Sequence, residues 1–134
     1  MMHDTGKVGF VAKLLPNGIH EFTWTSPSRE AVDVWMDYNA ALYEVSKVTD
    51  TIRNLHVIHT VNFPPISYVV RKARHLQTLY PEQPNTRSAI LFQSRFLGGI
   101  INTLSTMLNK KGKDITRFFS MEEREEAIAW LLSE

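Results

Sequence analysis

The sequence predicts a single α/β domain over residues 1–134, with a mixed, mostly parallel β-sheet of about five strands, an N-terminal hairpin and four helices. In some segments every second residue is apolar, which is typical of a strand. In others apolar residues recur every three to four positions, which is typical of a helix. The Asn17-Gly18 pair separates the first two alternating segments, as in a hairpin. The later strand-like segments are joined through helix-like ones, which requires parallel pairing. At 134 residues, two domains would each have a marginal core.

The predicted element order is ββαβαβαβα. The strands are expected at residues 8–15, 19–25, 55–63, 88–96 and 115–119, and the helices within 26–47, 66–80, 100–111 and 120–132. Asn17-Gly18 favours a type I′ turn, because both residues tolerate positive φ. Ser26 is the expected N-cap of the first helix, and Ser120 forms a capping box with Glu123 before the last.

Composition excludes several classes of function. The chain has no cysteine, so disulfides, thiolate metal sites and cysteine nucleophiles are excluded. A formal net charge of +1 does not suggest a nucleic-acid partner. No apolar run approaches the roughly 20 residues of a transmembrane helix, and the first residues lack the pattern of a signal peptide. The expected location is the cytoplasm.

Histidines, acids and serines give no catalytic or metal-binding pattern. His56 and His59 are three apart on a predicted strand and therefore point to opposite faces. Asp33 and Asp37 are four apart on the first helix, on what should be its solvated side. No Gly-x-Ser-x-Gly elbow is present. We therefore expect no enzyme activity, no metal and no cofactor.

Three features are candidates for ligand binding. Gly98 and Gly99 at a helix start could present free N–H groups to an anion, although close packing explains two glycines equally well. Arg71 belongs to a basic strip on the second helix that could bind an anionic group. The alternative is that the strip is an ordinary solvated helix face. The aromatic residues Tyr38, Phe63 and Tyr68 could line a pocket at the carboxyl edge of the sheet, with core packing as the alternative.

The element order, together with the closing segment from Asp114 to Leu132, resembles the STAS-like group, the fold of bacterial anti-sigma-factor antagonists. The segment Ala127-Ile128-Ala129-Trp130-Leu131 is similar to the end of that group's small stand-alone members. The resemblance implies a switch in which a partner kinase phosphorylates a Ser or Thr where the helix after the third strand begins. Only Ser67 falls in a comparable place, without the group's Asp-Ser-Ser-Gly-like pattern.

Two hypotheses about function follow. The first is a non-catalytic regulatory or protein-interaction domain of STAS-like type, with an unknown protein partner and an expected homodimer that buries an uncovered helix face. The second is a small-molecule or lipid-binding module with an apolar pocket between the first two helices.

Overall fold

The computed structural model of the chain describes residues 2–5, 9–59, 65–93 and 114–133. The strands within these ranges are β1 (Met2–Thr5), β2 (Phe10–Leu14), β3 (His20–Trp24), β4 (Thr51–Ile58), β5 (Asn85–Phe92) and β6 (Asp114–Ser120). The helices are α1 (Arg29–Val45), α2 (Ile66–Leu79) and α3 (Arg124–Leu132), and a 3₁₀ turn (Met121–Glu123) leads into α3. None of these described helices is long and apolar enough to cross a bilayer.

The strands form one sheet whose spatial order follows the chain, β1-β2-β3-β4-β5-β6. β1, β2 and β3 pair antiparallel, whereas β3 to β6 pair parallel. The α/β class and the mixed, mostly parallel sheet are confirmed, and all five predicted strands are present. β1 adds a strand that the apolar alternation does not signal, because it is only four residues long.

α1 and α2 cover one face of the sheet, and α3 covers the other. The connections from β3 to β4 and from β4 to β5 have the same handedness and move in the same direction across the sheet. They therefore place α1 and α2 on the same face. α3 follows the last strand without returning to another, so it is free to pack opposite. Alternate residues therefore point into different layers: Phe22 and Ile90 face α1 and α2, whereas Leu55 and Leu91 face α3.

The hairpin between β2 and β3 closes around Asn17-Gly18, but the predicted type I′ turn is wrong. Gly18 has a φ of +86°, and no non-glycine among the described residues has positive φ. Gly18 N–H donates to the carbonyl of Leu15 (3.0 Å), and Leu15 N–H donates to the carbonyl of Ile19 (2.9 Å). The loop is thus a turn starting at Leu15, followed by a left-handed glycine. Pro16 favours this turn, because its ring holds φ negative.

α1 begins later than predicted. Its N-cap is Ser28, whose Oγ accepts a hydrogen bond from Ala31 N–H at 3.1 Å. Thr25 N–H still donates to the carbonyl of Gly9 (2.8 Å), so sheet-like hydrogen bonding extends to the residue before Ser26. Ser26 is therefore not the cap, and the helix starts at the next serine along the chain.

Strand pairing displaces two further boundaries. β4 starts at Thr51 because its first residue pairs with Asn85 at the start of β5, and it ends at Ile58 rather than at Phe63. β5 likewise spans Asn85–Phe92 instead of residues 88–96. Residues 60–64 and the helix predicted within 100–111 lie outside the described residues, so the fourth helix stays a prediction.

Candidate functional site

The carboxyl edge of the sheet, where the parallel strands end, is also where α1 and α2 begin. α1 follows β3 and α2 follows β4, the neighbouring strand, so the two helix N-termini lie side by side. The helices pack against each other along the same face of the sheet. Side chains from the first turns of both helices can therefore meet at this edge.

Tyr68 on the first turn of α2 is surrounded by charged side chains from both helices. Its hydroxyl donates a hydrogen bond to Oδ1 of Asp33 on α1 at 2.5 Å. The Cζ atoms of Arg29 and Arg71 each lie 5.1 Å from the centroid of its ring, and Nζ of Lys72 lies 5.9 Å from it. Lys72 also forms an ion pair with Asp33 at 3.4 Å. We call these five residues the Tyr68 cluster.

The Tyr68 cluster carries three cations and one carboxylate, so it presents an excess of positive charge to solvent. The hydrogen bond from Tyr68, with a further contribution from Lys72, lowers the pKa of Asp33 below its ordinary value. The same bond to Asp33 raises the pKa of Tyr68. Asp33 is therefore ionised and Tyr68 neutral at neutral pH. The two arginines remain able to bind carboxylate or phosphate oxygens.

Ser67 lies beside the Tyr68 cluster. Its side chain is exposed on the first turn of α2, one helical turn before Arg71. Pro65 occupies the N-cap position, and no side chain caps the helix there. The first N–H groups of α2 and its positive dipole end therefore favour a negative charge near Ser67. A phosphoryl group on this hydroxyl would lie within the reach of Arg71.

The structure brings three of the predicted site residues together, namely Ser67, Tyr68 and Arg71. Tyr38 lies elsewhere, because α1 runs back from the carboxyl edge and carries Tyr38 over the first half of β3. There Tyr38 is buried, and its hydroxyl lies 2.7 Å from Nδ1 of His20. Phe63, Gly98 and Gly99 lie outside the described residues.

The sequence pattern places Asp33 on the solvated side of α1 and does not distinguish Arg29 from the other charged residues of that helix. The missed contacts cross between two helices, and their pairing depends on how α1 and α2 are rotated and shifted relative to each other. Helical spacing provides only a weak signal. Arg29 and Asp33 are four apart, as are Tyr68 and Lys72, so each pair shares one helix face.

A second group of side chains lies in the layer between α1 and the sheet. His56 on β4 is buried, and its Nδ1 accepts a hydrogen bond from Trp24 Nε1 at 3.1 Å. The ring of Trp35 stands edge-on to it, with 5.2 Å between centroids. Burial lowers the pKa of His56 to about 3. His56 is thus a neutral packing residue at physiological pH.

Three buried polar atoms on this face of the sheet have no hydrogen-bond partner among the residues that the structure describes. They are Nε1 of Trp35, Oδ1 of Asn54 and Oγ1 of Thr86. Leaving a buried polar atom unpaired costs about 1–3 kcal/mol, and native proteins contain few such atoms. The layer therefore retains hydrogen-bonding capacity that the described residues do not use.

Within the described ranges, no group of three or more His, Asp or Glu side chains is arranged to hold a metal ion. Comparisons of the chain with models of protein families, with curated proteins and with solved structures find no match. Among the residues described, the Tyr68 cluster and the unpaired polar atoms beneath the helices are the features that point to a function.

Proposed function

We propose that the chain is a cytoplasmic, non-catalytic regulatory domain of STAS-like type that acts through protein contacts. The order of elements supports this proposal: a hairpin is followed by parallel strands joined through α1 and α2. The chain then closes with β6, an acidic turn and α3. Ala127 and Leu131 in this last segment are fully buried against the sheet.

The observation that carries the proposal is the Tyr68 cluster beside Ser67. Its cations come from two packed helices rather than from a loop, so they form a fixed and positively charged surface. Such a surface suits a protein partner that presents acidic side chains. Phosphorylation of Ser67 would place a competing dianion beside Arg71 and weaken that contact. The contact surface and its switch would then be the same site.

Affinity capture from the host tests the contact surface. The wild-type chain is compared with Arg29→Ala/Arg71→Ala, which removes two cations of the Tyr68 cluster. The matched control is Arg74→Ala/Arg117→Ala, which removes the same charge from exposed positions outside it. We expect a captured protein to bind the first variant about tenfold more weakly, with the control unchanged. Added salt should weaken the wild-type complex as well.

The switch has its own test. Ser67→Asp should reduce capture of the same protein, whereas Ser67→Ala should retain it, because only the former adds negative charge at the start of α2. A partner held equally by both double variants, or lost equally from both, would contradict the assignment of the contact to the Tyr68 cluster.

A second candidate function, small-molecule binding, is supported by the unpaired polar atoms beneath the helices. Trp35 offers an N–H donor, while Asn54 and Thr86 offer an amide oxygen and a hydroxyl oxygen. A ligand that inserted between the helices and the sheet would meet aromatic rings and these polar atoms. Native mass spectrometry of protein purified from its host distinguishes the candidates: a bound small molecule favours this one, and the bare chain argues against it.

A further inference from the structure

In the part of the chain that the structure describes, the large apolar side chains exposed to solvent lie at one end of the domain. Among the described residues their exposure ranges from 40% for Leu14 to 80% for Val45. The set is Leu14, Val45, Val48, Leu79, Ile115 and Leu132. We call these six residues the amino-edge surface.

The topology places the amino-edge surface where the parallel strands begin. Leu14 ends β2 and pairs with His20, the first residue of β3. Val45 and Leu79 are the last residues of α1 and α2, which run from the carboxyl edge back to the amino edge. The remaining members are Val48 in the connection to β4, Ile115 at the second position of β6 and Leu132 at the end of α3.

This concentration differs from the ordinary scatter of exposed apolar residues. Single exposed leucines or valines are normal, whereas a group at one end of a domain marks a surface that another molecule covers. The six residues come from all three layers, so they mark the whole end of the domain.

We infer that the amino-edge surface is the contact between two copies of this chain, packed end to end about a two-fold axis. Its area suits that assembly. The amino-edge surface extends from β2 to β6, which is four inter-strand spacings of about 4.8 Å. It also extends across three layers of about 10 Å each, the sheet and the helices on its two faces, so this end measures roughly 20 by 30 Å, on the order of 600 Å². Two such surfaces bury on the order of 1,200 Å², which is the lower end of the range for specific interfaces.

The charges at the amino edge also suit a second copy. A two-fold contact places each surface against itself, so a surface of one sign would repel its copy. Exposed Lys13 and Lys47 lie at this end together with exposed Asp50 and Glu82. Each copy can therefore offer both signs to the other around the apolar residues. The Tyr68 cluster, by contrast, carries an excess of one sign at the opposite edge.

Light scattering and sedimentation over a range of protein concentrations test the assembly. The wild-type chain should form a dimer, and Val45→Glu/Leu79→Glu should raise the dimer dissociation constant by about tenfold or more, because both charges would be buried in the contact. The control Thr25→Glu adds a charge at an exposed residue after β3, at the carboxyl edge, and should leave the dimer unchanged. Circular dichroism and the melting temperature verify that each variant is folded.

A cross-linking measurement locates the contact. Because the chain has no cysteine of its own, each variant carries one reactive thiol, at the substituted position. A long bifunctional maleimide should join two copies of Val45→Cys or Leu79→Cys, but not two copies of Thr25→Cys. A wild-type monomer at all concentrations would overturn the inference and assign the surface to a different partner. A dimer that survives both glutamates, or that cross-links through Thr25→Cys alone, would overturn it as well. None of these variants alters the Tyr68 cluster, so the outcome does not depend on the proposed function.

Discussion

His56 is buried in the layer beneath α1, where Trp24 donates a hydrogen bond to its Nδ1 and Trp35 packs against its ring. Burial lowers the pKa of His56 to about 3, because it removes the water that would stabilise the charged ring. The unfolded chain would bind a proton at this residue near pH 6.5. His56, which the sequence suggests considering as a metal ligand, therefore makes the stability of the fold depend on pH.

Stability should fall as the pH decreases through the range between these two pKa values. The unfolded state takes up the proton first, so the contribution of neutral His56 is complete above about pH 6.5 and is lost progressively down to about pH 3. Between pH 7 and pH 4 this residue alone should reduce the free energy of unfolding by about 3 kcal/mol. Urea unfolding at several pH values measures the change.

Two variants isolate the contribution of His56. His56→Phe leaves Trp24 Nε1 without its acceptor and should be about 1–2 kcal/mol less stable at pH 7, yet it should lose about 3 kcal/mol less than wild type on acidification. His75→Gln, at an exposed position on α2, should keep the wild-type dependence. Equal pH dependence in His56→Phe and wild type would contradict the burial of a neutral histidine.

Comparing Gly9 with Gly18 separates the cost of a steric clash with neighbouring backbone from the cost of a positive φ. Both have positive φ, +79° and +86°. A Cβ at Gly9 would lie 2.8 Å from the backbone nitrogen of Ser26 and against its Cβ, whereas one at Gly18 would meet nothing within 4 Å. Gly18→Ala should therefore cost about 1 kcal/mol, and Gly9→Ala about 3 kcal/mol or more. Similar melting temperatures for the two variants would show that the strands do not approach as described.

At the scale of elements, α3 is held by the sheet rather than by its own sequence. It has only nine residues and no basic residue in its last turn. Two arginines on neighbouring strands supply the missing positive charge: Arg53 donates to the carbonyl of Leu131 (2.7 Å), and Arg87 to that of Trp130 (2.9 Å). Arg87 also lies 4.4 Å from the centroid of the Trp130 ring. The C-terminal end of α3 is thus fixed near the amino-terminal ends of β4 and β5.

Removing one of these arginines should loosen α3 selectively. Arg87→Met removes the charged donor to the Trp130 carbonyl, which then keeps only its hydrogen bonds from Ser133, and it removes the cation over the Trp130 ring. We therefore expect a loss of about 1–3 kcal/mol and faster amide hydrogen exchange across α3. Arg117→Met changes an exposed arginine on the same face of the sheet and should stay within about 0.5 kcal/mol of wild type. Unchanged exchange in α3 after Arg87→Met would show that these contacts do not hold the helix.

At the scale of the whole molecule, parallel strands give the domain two different ends. Helix N-termini and the Tyr68 cluster lie at the carboxyl edge, while helix C-termini and the amino-edge surface lie at the other. A dimer formed through the amino edge would leave both Tyr68 clusters facing outward. One dimer could then hold two copies of an acidic partner without competition between its ends.

Local signals in the sequence account for many of the elements. Asn17-Gly18 marks the hairpin, and the capping box is confirmed by the Ser120 N–H that donates to the Glu123 carboxylate at 2.8 Å. Strand ends are less well predicted. β4 begins at Thr51 because Asn85 pairs with it from a distant part of the chain, and no pattern within β4 itself reports that partner.

The sequence by itself determined the α/β class and the position of the hairpin, because each depends on residues close together in the chain, and its composition excluded cysteine chemistry. Only the tertiary structure joined Asp33 and Arg29 to Tyr68, and only it gathered the exposed apolar residues at one end. Both depend on how helices and strands are placed relative to one another. That placement is decided by packing between segments that are distant in the chain. The hydrophobic period of one segment does not indicate which other segments it packs against.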